Sequence, residues 1–585
     1  MTLIYSILCI FRTENILFKV LNVRKRIPSK TSHYPSLIEQ NGYYVDKTHF
    51  LSQMEEMSDR FLFFLRPRRF GKSLHLSVME HYYGIQYKGS FDSLFGNTWI
   101  GKHPTSLRNS YHTLSFNFSG IETSDAASIK DSFISKVISG ISGFYSSYPA
   151  IERVSQELYE LEEFPSGVVT RFFSSLKLNG FNGKIFLFID EYDHFTNELF
   201  SFREEHFKEV VSRNGWVRKF YEIVKQYMGE GLIDRFFATG VTPVTLDSMT
   251  SGFNVAKNIS LDPEYNTMAG FTEDELLGLI QYTIDPKENL DKDRLLADMR
   301  DWYNGSKFSV RADEKVYNPQ LVASFLVEFG KEHRYPDVMA DHNVTSDYKK
   351  IFSILDRLQR EDASGVLHTI LEEKEIVSGL TLQFNPELQY SRTDAVSMLF
   401  YNGLLTLESS QLDLIKYVIP NYVIHQIYWD ALRKRYETEY SMSMDIGDTG
   451  RIIIEMALEG KIDKLIAYMK LVLSKISNRD LQNFRESNLK MMFLTLLTNT
   501  NMYMVTSEME VASGYTDIYL RKTKLNPGKF QFLFELKYLK SGDEDSFLRA
   551  EEDGKAQITR YISSLSIDEK DGLLAFLIIF RGKQD

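Results

Sequence analysis

Three groups of residues in this chain have types and spacings that suit chemistry on phosphate groups. They are Gly71-Lys72-Ser73, the acidic pair Asp190-Glu191, and Asp517 with Glu535 and Lys537. A glycine lets backbone amides curl round phosphate oxygens, a lysine reaches the outer phosphates, and a serine hydroxyl coordinates Mg²⁺. Two carboxylates beside a lysine suit metal-assisted hydrolysis of a phosphodiester. The sequence therefore predicts two separate phosphate-directed sites.

The first group lies between a predicted strand and a predicted helix, as a phosphate-binding loop requires. Phe61–Leu65 is a continuous apolar run, typical of a strand buried on both faces of a parallel sheet. Leu74–Tyr83 has helical apolar spacing. Arg66 stands where the standard motif has its first glycine, and Pro67 donates no amide, so we expect a different turn geometry.

The acidic pair ends a second apolar strand, and its setting favours a Walker B motif. Asp190 would hold Mg²⁺ and Glu191 would polarise the attacking water, although a helix N-cap pair is an alternative interpretation. Thr239 ends the next predicted strand, where a polar side chain could sense the γ-phosphate. The expected nucleotide-binding residues are Arg69, Phe70, Gly71, Lys72, Ser73, Leu74, Asp190 and Thr239, with Ser73 and Asp190 at the metal. Arg66 and Arg68 are further candidates.

Alternating strands and helices predict an α/β layered sheet around this site. Further strands are expected at Thr113–Phe118, Ile185–Ile189, Phe236–Thr239 and Asn258–Leu261, with helices at Ala126–Ser142 and Val217–Tyr227. Thr272 and Glu275 then form a capping-box pattern that predicts the start of a helical lid.

The middle of the chain is less informative. Residues 340–390 and 441–485 have mostly helical patterns. Residues 391–401 predict a helix, and Leu404–Leu407 with Ile415–Ile419 predict paired strands before another helix. This order is compatible with a winged-helix module or with a small packing domain.

The last hundred residues predict the order α-β-β-β-α-β. The helices are expected near 484–497 and 546–565, and the strands near 503–510, 515–521, 530–538 and 572–580. Positions two apart on a strand share a face, so Glu535 and Lys537 should lie side by side. Asp517 and Glu535 could then share a divalent ion, while Lys537 orients or acidifies a water.

Three further residues could reach the same metal site. Glu486, on the preceding helix, could supply another carboxylate. Gln557 and Tyr561 lie one helical turn apart on the following helix and could face the strands. An exposed edge strand decorated with Glu and Lys is the alternative, but the apolar neighbours of Glu535 favour a central strand.

The cysteine content, the length of the apolar stretches and the net charge limit the kinds of function that this chain can have. The single cysteine, Cys9, excludes an intramolecular disulfide and a cysteine-based metal site, which favours a reducing, cytoplasmic setting. Leu3–Phe11 is too short to span a bilayer, and no later stretch predicts a membrane span. The net charge of −11 means that nucleic-acid contact would depend on local basic patches.

With these motifs in view, the chain resembles the AAA-ATPase-like family with a C-terminal PD-(D/E)XK nuclease-like domain, found in bacteria and some intracellular parasites. The matching segments are 44–48, 66–74, 189–193, 239–241, 270–272, 317–319, Asp517 and 535–537. The resemblance implies an ATPase core and a nuclease-like fold, with ATP and Mg²⁺ as cofactors. It also implies that Asp46, Lys47 and Thr48 lie near the nucleotide, on its base side.

The expected organisation is an N-terminal extension (1–26), a P-loop domain (27–270), a helical lid (271–335), a helical region (336–480) and a restriction-endonuclease-like domain (481–585). The leading hypothesis is an ATP-dependent nuclease that acts on DNA rather than RNA, and the sequence leaves room for a homo-oligomer. A second is a nucleotide-switched signalling or scaffold protein whose nuclease-like domain only binds. Tyr515, where the family usually has arginine, favours the second. A third is a nucleic-acid-binding ATPase that uses the winged-helix-like region.

Overall fold

The computed structural model describes most of the chain. The described residues are 24–28, 31–202, 215–244, 255–285, 291–340, 352, 355–356, 358–384, 389–439, 446–475, 485–498, 500–511, 514–539 and 544–581. Residues 1–23 of the expected N-terminal extension lie outside them. No helix in these described ranges is long and apolar enough to cross a membrane.

A parallel sheet of five strands forms the centre of the N-terminal part. Its strands are β1 (Phe61–Leu65), β2 (His112–Asn117), β3 (Ile185–Asp190), β4 (Ile233–Gly240) and β5 (Lys257–Asn258), in the spatial order β2-β3-β4-β1-β5. The predicted α/β layered sheet is confirmed. Since parallel strands share a direction, the carboxyl ends of β1, β3 and β4 lie at one edge. The loop after β1, Asp190 and Thr239 therefore meet there.

Helices cover both faces of this sheet, and its central strands β1 and β3 are accordingly almost entirely apolar. They are α1 (Tyr34–Glu39), α2 (His49–Glu56), α3 (Lys72–Tyr83), α4 (Phe91–Phe95), α5 (Trp99–Lys102), α6 (Ala126–Ser147), α7 (Gln156–Glu160), α8 (Pro165–Leu178), α9 (His194–Phe202) and α10 (Trp216–Gly229). The phosphate-loop helix predicted from Leu74 begins two residues earlier, at Lys72.

The strand predicted at Asn258–Leu261 is shorter than expected, because β5 ends at Asn258. The Ser260 hydroxyl, not a strand backbone atom, takes the hydrogen bond of the Leu65 amide, at 2.7 Å. Pro263 then opens a short 3-10 helix. A side chain thus replaces the backbone ladder at the carboxyl end of β1.

Three helices follow as the expected helical lid: α11 (Glu273–Thr283), α12 (Lys292–Tyr303) and α13 (Pro319–Glu332). The predicted capping box of α11 is confirmed, since Thr272 accepts from the Glu275 amide and Glu275 accepts from the Thr272 amide. Phe271 and Tyr317 form an antiparallel bridge that ties the start of α11 to the start of α13.

The middle region contains α14 (Arg360–Glu372), β6 (Glu375–Ser378), α15 (Arg392–Tyr401), β7 (Thr406–Gln411), β8 (Leu414–Val418), α16 (Tyr422–Glu439), α17 (Ile446–Glu459) and α18 (Asp463–Ser474). Strand β6 was not predicted, and it makes an antiparallel sheet of order β6-β8-β7. The strand predicted from Leu404 begins at Thr406 instead. Gly403, with φ of 78°, ends α15, and the Leu404 amide turns back to the Leu399 carbonyl at 2.8 Å.

The C-terminal part has the predicted order of elements, with one additional short helix before the last strand. They are α19 (Glu486–Leu497), β9 (Tyr503–Val511), β10 (Gly514–Lys522), β11 (Gln531–Leu539), α20 (Glu544–Ser564), α21 (Ile567–Lys570) and β12 (Leu573–Arg581), with the mixed sheet β12-β11-β10-β9. Strand β11 is central, paired with β12 in parallel and β10 antiparallel. This position confirms that Glu535 lies in a central strand.

Candidate functional sites

The loop between β1 and α3 has the backbone of an anion cradle. Arg69 and Gly71 both adopt left-handed conformations, with φ of 68° and 91°. Helix α3 then begins at Lys72 without a side-chain cap, so its first amides have no intrahelical partner. Successive amides in a tight turn, at the positive end of a helix, suit the binding of phosphate.

Lys72 is buried beneath this loop and is held by the loop itself. Its ammonium donates to the carbonyl oxygens of Arg66 and Pro67, at 2.9 and 3.0 Å. Burial lowers the pKa of Lys72 to about 8, and Asp190 is the carboxylate that opposes this shift most strongly. A phosphate that replaced the two carbonyls would give the ammonium a stronger, charge-assisted partner.

Arg66 does not face the loop. It is fully buried, and its guanidinium donates to the carbonyls of Leu65, Ser260 and Tyr265 at 2.7–2.8 Å. It also lies 4.3 Å from the Phe64 ring and 4.2 Å from the Phe308 ring. These contacts fasten the start of the loop to the protein interior, where burial lowers the pKa of Arg66 to about 9. They do not support the phosphate contact considered for Arg66.

The acidic pair and the threonine meet at the carboxyl edge of the sheet. The Thr239 hydroxyl donates to Asp190 Oδ1 at 2.6 Å, which links the ends of β3 and β4. Glu191 has a left-handed backbone, with φ of 52°, and its half-exposed carboxylate lines the same cavity as Lys72. His194 Nδ1 lies 3.5 Å from Glu191 Oε2.

Asp193 is a buried residue of this edge to which sequence reasoning gave no role. Its carboxylate accepts from the amides of Val241 and Thr242, the latter at 2.6 Å, and from the Asn197 amide group. A Cβ at Gly240 would lie 2.3 Å from Asp193 Oδ1, so only glycine fits there. The sequence does contain a signal for Asp193, because in the segment 189–193 a second aspartate follows the acidic pair.

A cavity of about 470 Å³ opens over the phosphate loop. Beyond the loop residues 68–74 and Glu191, its walls come from distant parts of the chain, including Tyr43, Tyr44, Val45, Phe271 and Pro319. The volume lies within the usual range of ligand pockets. Its lining therefore combines the polar residues of the loop with aromatic and apolar side chains.

Of the segment implied to lie at the base side, only Lys47 lines this cavity. The Lys47 ammonium is 2.6 Å from the Glu275 carboxylate and 2.7 Å from the Thr267 carbonyl. Asp46 instead accepts from the amides of Thr48 and Trp99, and Thr48 is fully buried. Asp46 and Thr48 therefore shape the turn that presents Lys47.

The second site lies on the face of the C-terminal sheet that packs against α20. Glu535 is 2% exposed, and Lys537 Nζ donates to its Oε1 at 2.9 Å, as their two-residue spacing predicts. Asp517, on the neighbouring strand, accepts from the Leu536 amide at 2.8 Å. Burial, and then Asp517, raise the pKa of Glu535 to about 7, while Lys537 opposes the shift.

Two of the three further candidates, Glu486 and Tyr561, also lie at this site. Glu486 accepts from the Tyr538 amide at 3.2 Å and acts electrostatically on Glu535 and Lys537. Tyr561 is buried, and after burial itself Glu535 is the largest influence that raises its pKa. Gln557 lies one turn earlier on α20, and its Oε1 is buried.

The atoms of this site fit a divalent cation, although its carboxylates are few. Glu535 Oε2 and Gln557 Oε1 are buried acceptors without a hydrogen-bond partner in the described parts of the chain. Such orphaned oxygens are costly unless a cation or water satisfies them. Within the same described ranges, no group of three or more His, Cys, Asp or Glu side chains could hold a metal. Any metal here would rest on Asp517 and Glu535.

The first helix of the winged-helix-like region, α15, is largely buried. All residues of α15 from Ala395 to Tyr401 are buried. The Phe400 ring lies 6.4 Å from the Phe308 ring, which also covers Arg66. This helix packs on the P-loop part and does not present its side chains to a DNA groove.

Comparison with known proteins finds a match for each of the two parts of the chain that hold these candidate sites. Residues 28–250 match the family described as predicted AAA-ATPase, and residues 484–585 match the PD-(D/E)XK nuclease superfamily. A protein of Azotobacter chroococcum mcd 1, described as an uncharacterized protein in the vnfD 5' region, is 26% identical over 314 residues. The match covers 51% of each chain, so this chain spans about half the length of that relative. The chain therefore carries an AAA-ATPase-like domain at residues 28–250 and a C-terminal PD-(D/E)XK nuclease superfamily domain at residues 484–585.

Proposed function

We propose that this protein binds and hydrolyses ATP and uses its nucleotide state to control a Mg²⁺-dependent nuclease site that acts on DNA. The observation that carries the nuclease half is the buried Oε2 of Glu535, which has no hydrogen-bond partner among the described residues and lies near Asp517 and Lys537. A carboxylate in a central strand with no hydrogen-bond partner on one oxygen is costly for folding alone, which points to a ligand.

In the nucleotide half, the loop amides and Lys72 would bind the phosphates. Ser73 and Asp190 would hold Mg²⁺, which supplies charge neutralisation between the phosphates when bound. Glu191 lines the cavity and would orient a water and accept its proton. Thr239, hydrogen-bonded to Asp190, would report the state of the outer phosphate to β4. Arg68 and Arg69 line the same cavity and would add positive charge.

In the nuclease half, Asp517 and Glu535 would hold Mg²⁺, which acts as a Lewis acid when bound. Lys537 would orient the attacking water, since its ammonium is held at 2.9 Å from Glu535. Glu486, Gln557 and Tyr561 would surround Asp517, Glu535 and Lys537 and fix their geometry. A phosphodiester strand would approach over α20.

Helix α12 connects the two halves through neighbouring residues. Arg300 Nε donates to Glu273 of α11 at 2.9 Å, and Arg521 of β10 donates to Asp301 at 2.6 Å. Strand β10 also carries Asp517. These ion pairs are partly exposed and therefore weak individually. They nevertheless place this lid helix in contact with both its neighbour α11 and the candidate nuclease strand β10.

A buried contact strengthens this connection. The Trp302 ring of α12 lies 4.8 Å from the Tyr422 ring, and the Tyr422 hydroxyl accepts from the Val505 amide of β9 at 2.8 Å. Tyr422 is also hydrogen-bonded to the Tyr503 carbonyl. A lid movement on nucleotide binding would therefore act directly on the sheet that holds Asp517.

The test is the cleavage of plasmid and single-stranded DNA with Mg²⁺ or Mn²⁺, with and without ATP, beside Asp517→Ala. We expect cleavage that depends on metal, responds to ATP and is lost in the variant. Cleavage that survived in Asp517→Ala would show a contaminating nuclease. No cleavage under any condition, with ATP still bound, would reject the nuclease half and leave the ATPase half standing.

The lowered pKa of Lys72 predicts how ATP affinity changes with pH. The pKa is about 8 without nucleotide, and bound phosphates would raise it, so the bound state holds more protons above pH 8. Affinity should be flat below pH 8 and fall by up to about tenfold per pH unit above it. Calorimetry at pH 7 and pH 9 measures this. In Lys72→Arg the side chain stays charged over this pH range. If the ATP affinity of this variant still fell above pH 8, a group other than Lys72 would cause the pH dependence.

A second candidate function is a nucleotide-switched protein whose nuclease-like domain binds without cutting. The observation that favours it is the limit of two carboxylates for a metal within the described residues. In that case the Asp517→Ala variant would still bind DNA, and neither the variant nor the wild-type protein would cut it.

A further inference from the structure

His75 is a buried polar residue in the cavity that no role described so far uses. It lies on α3, three residues after Lys72, and lines the cavity while being only 5% exposed. Its Nε2 is buried and has no hydrogen-bond partner within the described part of the chain. A side chain that lines a ligand cavity and carries an unpartnered ring nitrogen is one that a ligand atom could engage.

The position of His75 separates it from the phosphates. Phosphate-directed groups cluster at Gly71, Lys72 and Ser73, and three further residues advance a helix by about 4.5 Å. The Lys47 ammonium nearby is already bonded to Glu275 and Thr267. The Lys47 charge is therefore already balanced by a carboxylate, which disfavours an anionic ligand group beside Lys47.

The charge state of His75 supports the same assignment. Burial, followed by the positive charge of Lys47, lowers the pKa of His75 to about 4, so the ring is neutral near pH 7. A neutral imidazole offers one donor and one acceptor. The aromatic residues Tyr43, Tyr44 and Phe271 line the same cavity and suit a flat, unsaturated ring system.

We infer that His75 recognises the polar edge of the nucleotide base through Nε2, and so determines base selectivity at this site. The inference rests on the proposed nucleotide binding. It assigns to α3 two tasks along its first turns, phosphate binding at Lys72 and base recognition at His75.

The experiment compares the binding of ATP, GTP and inorganic tripolyphosphate to wild type, His75→Ala, His75→Gln and Lys72→Ala by calorimetry. His75→Ala should weaken the preferred nucleotide by roughly 5- to 10-fold and reduce the preference between ATP and GTP, because one hydrogen bond is lost. Tripolyphosphate affinity should not change. His75→Gln, which keeps a hydrogen-bonding amide, should retain most of the affinity.

His81 provides a matched control on the same helix. It is equally buried, bonded to the Ser77 carbonyl and stacked 4.0 Å from Tyr87, and it does not line the cavity. His81→Ala should leave nucleotide affinity unchanged. Equal weakening of nucleotide and tripolyphosphate in His75→Ala, or no weakening of either, would overturn base recognition. If the wild-type protein bound neither the nucleotides nor tripolyphosphate, the proposed nucleotide function itself would be refuted.

Discussion

Replacing Lys72 by alanine is expected to weaken the binding of Mg·ATP by roughly 10- to 150-fold. Hydrogen bonds to charged partners contribute about 1.5–3 kcal/mol each, and each 1.4 kcal/mol corresponds to tenfold in affinity. The reason is structural as well as chemical, because the Lys72 ammonium is already held under the loop, 2.9 Å from the Arg66 carbonyl. It needs only a short movement to meet a phosphate. A fluorescent ATP analogue in a titration measures the effect.

The control for this variant must address folding. Alanine leaves the buried carbonyls of Arg66 and Pro67 without their present donor, so a moderate fall in melting temperature is expected. Lys102→Ala, at an exposed position of the same domain, removes a lysine without touching the loop. A folded Lys72→Ala protein that bound ATP as tightly as wild type would refute the phosphate site.

Replacing Glu535 by glutamine is expected to reduce metal-dependent cleavage by on the order of 10³-fold, because a metal ligand is lost. The same change should leave the protein at least as stable as wild type at pH 8. Burial and Asp517 raise the pKa of Glu535 to about 7, so the native state above that pH must hold a desolvated charge. Glutamine has the same shape and no charge to desolvate.

The sign of the pH effect follows from the raised pKa. A carboxyl whose folded pKa exceeds its unfolded value contributes stability below about 4.5, and this contribution is lost as the pH rises through about 7. The advantage of Glu535→Gln should therefore shrink from pH 8 to pH 5. Thermal melting at both pH values measures it, with Glu552→Gln on the exposed face of α20 as the control. A large loss of stability at pH 8 would identify Glu535 as a structural residue.

Part of the fold could be predicted because its signals are local. The apolar runs of β1 and β3 and the alternation of strands and helices predict a parallel sheet. The capping box at Thr272 and Glu275 needs only two residues three apart, and it is present. Glu535 and Lys537 share a face because strands have a period of two, and their hydrogen bond follows from it.

Other features could not be predicted because they depend on contacts between distant segments. Arg66 occupies the place of a phosphate-loop glycine, yet its guanidinium is directed to the carbonyls of Ser260 and Tyr265, nearly two hundred residues away. The helix α15 has a sequence compatible with a recognition helix, but its packing buries it. Nothing within either segment specifies its partner.

Most strands, the motifs and their order follow from the sequence, since period, apolar runs and residue types act over a few neighbouring residues. Which of these residues meet depends on tertiary packing. Packing brings Tyr43 and Phe271 to the cavity over the loop, and within the described residues it leaves one buried atom each of His75 and Glu535 without a hydrogen-bond partner. The physical reason is that burial and hydrogen-bond satisfaction depend on the whole packed chain, not on local sequence.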